Sequence, residues 1–391
     1  MVPKGWKRVP IKDVCESIID CVNKTAPVVD YETPFKMIRT TNVRNGRVNT
    51  EDVRYVTEDT YLQWVRRGKP QVGDIIFTRE APVGEAGVLQ DAEGIFLGQR
   101  TMMYRADTCL SDNYFLFYSL SSPFCQKQIE DFSNGGTVAH MRVPDCGEIL
   151  INLPPFLEQK KIAQILSTWD KVISVTEKLL TNSQQQKKAL MQQLLTGQKR
   201  LLDENGVRFS GKWEKKLLSD VADVYQPKTI SQSMMSDSGY PVYGANGVIG
   251  FYQEFNHETE QIAVTCRGST CGIVNWTQAK SWITGNAMVI NTDNYSYVSK
   301  KFLFYTLNGS DLKYLISGSG QPQITGNIKT HIINLPCIEE QQKIATVLSA
   351  ADAEIYTLEK KLACLRDEKK ALMQQLLTGK RRVKVDEAVA E

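Results

Sequence analysis

Two sets of loop residues carry most of the side chains able to read a patterned hydrogen-bonding surface. The first set is Arg39, Thr41, Asn42 and Arg44, followed by Arg79, Gln99, Arg100, His140 and Arg142. The second is Tyr243 and Asn246, followed by Arg267, Ser269, Asn286, Gln321 and Gln323. Arginine matches the two acceptors of guanine, and asparagine or glutamine the donor–acceptor pair of adenine, so these types suit base edges in a DNA groove. Gly98, Gly244, Gly247, Gly268 and Gly285 stand among them, where a backbone N–H could approach a phosphate. Each set could line a nucleic-acid-reading surface or form ordinary solvated loops, and residue types alone leave both open.

Catalytic chemistry finds less support. Asn152-Leu153-Pro154-Pro155-Phe156 comes within one residue of the N-P-P-[YF] motif with which amino-methyltransferases hold a flipped base, but Leu153 interrupts it and no glycine-rich cofactor loop precedes it. Pro144-Asp145 and Glu148 begin a metal-nuclease pattern that no lysine completes. A phosphate-binding G-x-x-x-x-G-K-[ST] loop and a G-x-S-x-G nucleophile elbow are both lacking. Three scattered histidines leave few candidates for acid–base work. Nine cysteines without a C-x-x-C pair make a zinc site improbable and point to reduced thiols in the cytoplasm. No catalytic residue, metal ligand or cofactor of its own is expected, and the opening MVPKGWKRVP lacks the apolar core of a signal peptide. Lysine plus arginine number 47 against 44 acidic residues, a net charge of +3 that permits a nucleic-acid partner without demanding one.

An internal repeat shows what carries the loops. KKALMQQLLTG occupies 187–197 and again 369–379, an offset of 182 that holds ungapped back to Asn152-Leu153-Pro154 and Asn334-Leu335-Pro336. Apolar residues in both copies recur at steps of three and four, the pattern of a long helix with one seam. Pro155 and Pro336 suit helix starts, Gly197 and Gly379 suit left-handed caps, and a helix from about Phe156 to Thr196 would span about 60 Å. The two copies are expected to pack on each other as an antiparallel coiled coil. Leu190, Met191, Leu194 and Leu195, with Leu372, Met373, Leu376 and Leu377, exceed what a two-helix seam needs and are expected to dock helices of a partner. Trp6 and Trp213 begin two mixed α/β globules at an offset of 207, so the first is 25 residues longer. The fold class is therefore α+β with a pseudo-two-fold repeat: globule 1–150, long helix 151–198, linker and globule 199–332, long helix and tail 333–391. Within the first globule, one helix over Asn113–Glu130, interrupted at Pro123, is expected. The motif Thr78-Arg79 echoes Cys266-Arg267.

Alternating globules and helices, with INLPPFLEQKKIAQIL, INLPCIEEQQKIATVL and the doubled KKALMQQLLTG followed by basic residues, resemble the specificity subunit of type I restriction–modification systems, the HsdS family. The resemblance spans the chain, and its helical motifs are the specific part. It implies a non-catalytic subunit with two target-recognition domains, each reading one half of a split double-stranded DNA site. It implies partners as well: two methyltransferase subunits docked on the helices, and restriction–translocase subunits beyond them. S-adenosylmethionine would belong to the methyltransferase. The residues by themselves also fit a stand-alone two-headed DNA-binding protein, or a coiled-coil spacer whose globules bind protein.

Overall fold

The computed structural model describes residues 2–133, 139–244, 246–318 and 322–385. Its contacts divide the chain into two compact units, Met1–Glu177 with Lys361–Glu391, and Lys178–Lys360. Each unit holds one globule and a segment of each long helix.

In the first unit, strand β1 (Lys7–Pro10) pairs antiparallel with β11 (Leu150–Leu153) at the base of the long helix α5 (Phe156–Leu195). An antiparallel sheet runs in the order β2 (Cys15–Asp20), β10 (Thr101–Ala106), β7 (Ile75–Arg79), β8 (Val83–Val88). Ile75, Ile76 and Phe77 are fully buried, as a continuous apolar run in a central strand should be. A smaller sheet orders β6 (Arg54–Tyr55), β3 (Lys36–Ile38) and β9 (Ile95–Leu97), and β4 (Val43–Arg44) with β5 (Arg47–Val48) forms a hairpin. Helix α1 (Glu58–Trp64) packs with β9, and α4 (Val143–Gly147) precedes β11. The segment expected as one interrupted helix is two: α2 (Asn113–Leu120), capped by the Asp112 carboxylate on the Phe115 N–H, and α3 (Pro123–Ser133). Proline has no N–H to continue the ladder, so it begins the second helix instead.

The second unit repeats the plan. Strand β12 (Glu214–Leu217) pairs with β20 (Ile332–Leu335) at the base of the long helix α8 (Ile338–Leu376). The larger sheet orders β13 (Asp223–Tyr225), β19 (Ala287–Asn291), β16 (Ile262–Thr265) and β17 (Val274–Trp276). The smaller orders β15 (Gly247–Tyr252), β14 (Tyr240–Gly244) and β18 (Trp282–Ile283). Helix α6 (Leu218–Val221) follows β12, and α7 (Lys300–Asn308) is the counterpart of α2.

The long helices end as glycine caps dictate, with Gly197 at φ 73° and Gly379 at φ 67°. Within the first unit, Lys369 of α8 lies 2.6 Å from Asp170 of α5, and Arg366 lies 2.8 Å from Glu177. Within the second, Lys187 of α5 lies 2.5 Å from Asp352 of α8, and Ser183 donates to Glu354 at 3.0 Å. As one helix number rises in these pairs the other falls, so the segments of each unit run in opposite directions. Each pair is clamped to its globule by a duplicated network. Tyr118 donates to Asp170, and Tyr305 to Asp352, both at 2.6 Å. Burial, then these carboxylates, push both phenols well above the ordinary tyrosine range.

The apolar ends of the helices depart from expectation. Leu376 and Leu377 lie in the first globule's core beside Trp6, Phe115, Ile162 and Leu166. Leu194 lies in the second beside Phe302, Ile344 and Leu348. These three serve their own chain, not a partner's helices. Leu372 and Met373, and likewise Leu190, Met191 and Leu195, are half-buried against the same cores. The excess apolar surface was a real signal, but much of it fills the globule beside each helix end.

Candidate nucleic-acid interface

In the first globule, strand pairing brings separate loops to one edge. Parallel β3 and β9 end together, with the Gly98 N–H donating to the Ile38 carbonyl at 2.8 Å, so Arg39 and Gly98 emerge side by side. Antiparallel β7 and β10 place Thr78 opposite Thr101, and the Arg79 N–H donates to the Arg100 carbonyl at 2.8 Å. The segment after α3 joins there: Met141 N–H donates to the Arg79 carbonyl at 2.9 Å, and Glu80 bridges His140. Gln99, Arg100 and His140 are exposed at this edge, with Thr25 donating to the Gln99 amide oxygen at 3.2 Å. Thr41 is exposed on the turn that follows Arg39, and Arg44 on the β4–β5 hairpin. Arg142 is exposed and fastened to Asp145 at 2.7 Å at the start of α4.

The second globule builds the same edge from unrelated side chains. Thr284 N–H donates to the Tyr243 carbonyl at 2.9 Å, Cys266 N–H to the Asn286 carbonyl at 3.1 Å, and Ile324 N–H to the Cys266 carbonyl at 3.0 Å. Arg267 bridges Gln323, and Gly268 N–H reaches the Pro322 carbonyl at 3.0 Å. Asn246, Arg267, Ser269 and Gln323 are exposed, and Asn286 is half-buried. Gln321 falls outside the described residues, as does Thr137 of the first globule's glycine-rich loop. Gln226, which sequence reasoning passed over, donates to the Gly285 carbonyl at this edge.

Three expected readers are structural. Asn42 is buried; its amide donates to the Asp52 carbonyl at 2.5 Å, and its oxygen accepts the Arg39 N–H at 3.0 Å. Arg79 is buried 3.0 Å from Asp20 and donates to the Met141 carbonyl at 3.2 Å. Tyr243 is buried, its hydroxyl accepting the Gln278 N–H at 3.1 Å. The matching bonds also correct the internal alignment. Arg79 corresponds to Cys266, and Glu80 to Arg267, because each pair makes the same backbone contact with the returning loop. A shift of one residue exchanges the faces of a strand, which is why Arg79 points inward while Arg267 points out. Glu80, an acid among the basic loop residues, is the counterpart of Arg267.

Among the described residues, no group of three or more His, Cys, Asp or Glu is placed to hold a metal, and no helix is long and apolar enough to cross a membrane. The family described as "Type I restriction modification DNA specificity domain" matches residues 3–182 and 210–364. A putative type I restriction enzyme specificity subunit, MjaX of Methanocaldococcus jannaschii, is 26% identical over 98% of this chain and 95% of its own. The MjaVIII specificity subunit of the same organism is 25% identical over 98% and 94%. Among solved structures, the type I restriction–modification S subunit from M. genitalium superposes with a TM-score of 0.67 at 17% identity, over 96% of both chains. A chain from a study of complex assembly in the type I system superposes at 0.53 and 17% identity, over 97% of this chain and 100% of that one. Specificity subunits are the DNA-recognition components of these systems and not their catalysts. Two copies of one loop-bearing edge, each joined to long-helix segments, are thus set in a chain that belongs to the type I restriction–modification DNA specificity family.

Proposed function

We propose that the edge formed by Gln99, Arg100 and His140 reads one half of a bipartite double-stranded DNA site, and that the edge formed by Asn246, Arg267, Ser269, Asn286 and Gln323 reads the other. The observation that carries this is the duplication itself. One backbone scaffold is built twice and dressed with different polar side chains, as expected when two readers share a frame but not a target. In this reading 1–150 and 199–332 are the recognition segments, while 151–198 and 333–391 form an antiparallel coiled coil that spaces them and docks partners. The partners are two methyltransferase subunits, which would bring S-adenosylmethionine, and restriction–translocase subunits. The relative described in terms of complex assembly supports such partners. The docking surface would use Leu190, Met191, Leu195, Leu372 and Met373 with the exposed Gln192, Gln193, Gln374 and Gln375. A cleft of about 740 Å³ lined by Met191, Gln192 and Leu195 offers room on the second unit. Work in the cytoplasm suits nine free thiols.

The test is methyladenine mapping of genomic DNA from cells carrying the gene and its neighbours, with and without the gene. Loss of one bipartite methylated motif on deletion is expected. An unchanged methylome, despite co-purification of the chain with a methyltransferase subunit, would refute the reading.

A further inference from the structure

The geometry points to Arg100 as the guanine-reading residue of the first globule, with Glu80 as the positioning residue that aims it. The inference rests on the reading of this edge as a DNA reader.

Arg100 has φ 69°, one of four non-glycine residues with positive φ among the described residues. Its counterpart Asn286 is not among them. A left-handed backbone strains an L side chain and persists only where the surroundings hold it, often at functional positions. Here the Arg100 carbonyl is held by the Arg79 N–H at 2.8 Å, so the conformation is fixed from the sheet side. The side chain has an ionic partner as well. Arg100 Nε lies 3.3 Å from Glu80 Oε1, and His140 Nδ1 lies 3.4 Å from Glu80 Oε2. The carboxylate is only 20% exposed, beneath an arginine and a histidine exposed by 54% and 45%. An acid at a DNA-facing edge repels phosphates, so its presence needs a reason. Both of its oxygens are engaged, one by Arg100 and the other by His140. The contact runs through the Nε of Arg100, and neither of its two terminal nitrogens makes a hydrogen bond among the described residues. That outward fork of N–H donors matches the O6 and N7 acceptors of guanine. In the second globule the position of Glu80 is held by Arg267, so the two edges cannot share this device.

The experiment maps methyladenine motifs made by the full chain co-expressed with its methyltransferase partner, comparing wild type with R100K, R100A and E80Q. Lysine keeps the charge but loses the planar fork. Wild type should show a guanine in the half-site that changes when the first globule is altered. R100K and R100A should relax that one position, lowering discrimination there about 5- to 150-fold, with the other half-site intact. E80Q should relax the same position to a smaller degree. Full discrimination in R100K would overturn the assignment of Arg100. Relaxation by E80Q at a different base would mean that Glu80 reads DNA itself, and a uniform fall in methylation with no change of base preference would mean that it is merely structural. Either outcome overturns its positioning role. These failures, with the wild-type bipartite motif present, would leave the proposed function standing; only the absence of any motif lost on deletion would remove both.

Discussion

Glu340 is almost wholly buried with both oxygens engaged: Arg200 grips both at 2.6 Å, and the Trp213 indole donates to one at 3.2 Å. Glu158 repeats this with Arg382 at 2.7 and 2.8 Å and Trp6 at 3.1 Å. Hydrogen bonding to the carboxylate raises the pKa of each arginine. Removing one partner of a buried pair strands a charge, at a cost of about 3–5 kcal/mol. Arg200→Ala should therefore lower the urea stability by about 3 kcal/mol. Arg382→Ala should cost clearly less, since the Arg382 side chain is 45% exposed and water can replace part of the contact. Equal losses in urea titrations would contradict the exposure argument. Two other arginines separate structure from recognition. Arg79→Ala should destabilise the chain by leaving Asp20 without its nearest cation, while Arg267→Ala should leave the unfolding midpoint unchanged and weaken DNA binding, with a shallower salt dependence. A shifted midpoint for Arg267→Ala, or none for Arg79→Ala, would reverse these roles. The sequence alone could mark the loops but not sort them. Arg79 and Glu80 are adjacent, and only the strand register shows which faces inward. Asn42 has an ideal composition for base reading but spends it on its own turn, a use that depends on Asp52 and cannot be read from residue type.

At the scale of elements, what repeats over many residues was legible and what depends on one contact was not. The long helices, their proline starts and their glycine caps follow from periodicity and local chemistry. The burial of Leu194, Leu376 and Leu377 depends on what packs opposite. Two buried histidines of the second globule are expected to give a pH response. The His257 ring lies 2.9 Å from the Tyr225 hydroxyl and 2.6 Å from the Asn256 amide oxygen, with Asp293 and Lys300 as the charges acting on it. His331 lies 2.7 Å from the Tyr314 hydroxyl. Burial lowers both pKa values; for His257 Asp293 opposes the shift and Lys300 adds to it. A histidine whose folded value is depressed binds its proton more readily when unfolded. Its contribution is fully present above the unfolded value of about 6.5 and is lost as the pH falls through the lower folded value. The urea midpoint should thus fall as the pH drops below about 6.5, and fall less in a His257→Gln, His331→Gln double variant. An equal decline in both proteins would assign the pH response elsewhere.

At the scale of the whole molecule, the quantity to test is helix length. Helix α5 has 40 residues and α8 has 39, each about 60 Å long at 1.5 Å per residue. The repeat preserves their length while the globules differ by 25 residues, as expected if length itself is functional. Each globule is clamped to the helix segments of its own unit, through Tyr118, Asp170 and Lys369 in one and Tyr305, Asp352 and Lys187 in the other. Residues added between these clamps, after Lys178 in α5 and after the repeat-equivalent Lys360 in α8, would leave both readers and both clamps intact. Seven residues add about 10.5 Å and nearly two full turns, so an apolar seam stays in register. DNA rises about 3.4 Å per base pair, which sets an upper bound of about three added pairs. The bound is not automatically reached, because each pair also rotates the second half-site about the DNA axis. The methylated motif should keep both half-sites and widen its unread gap by about one to three base pairs. Five residues would instead turn the seam by about 140° at 3.6 residues per turn and should abolish methylation. The same insertion in α5 alone would shift only one of two matched segments, and should likewise lose activity. An unchanged gap after the matched seven-residue insertion would mean that the helices hold the readers without measuring the distance between them.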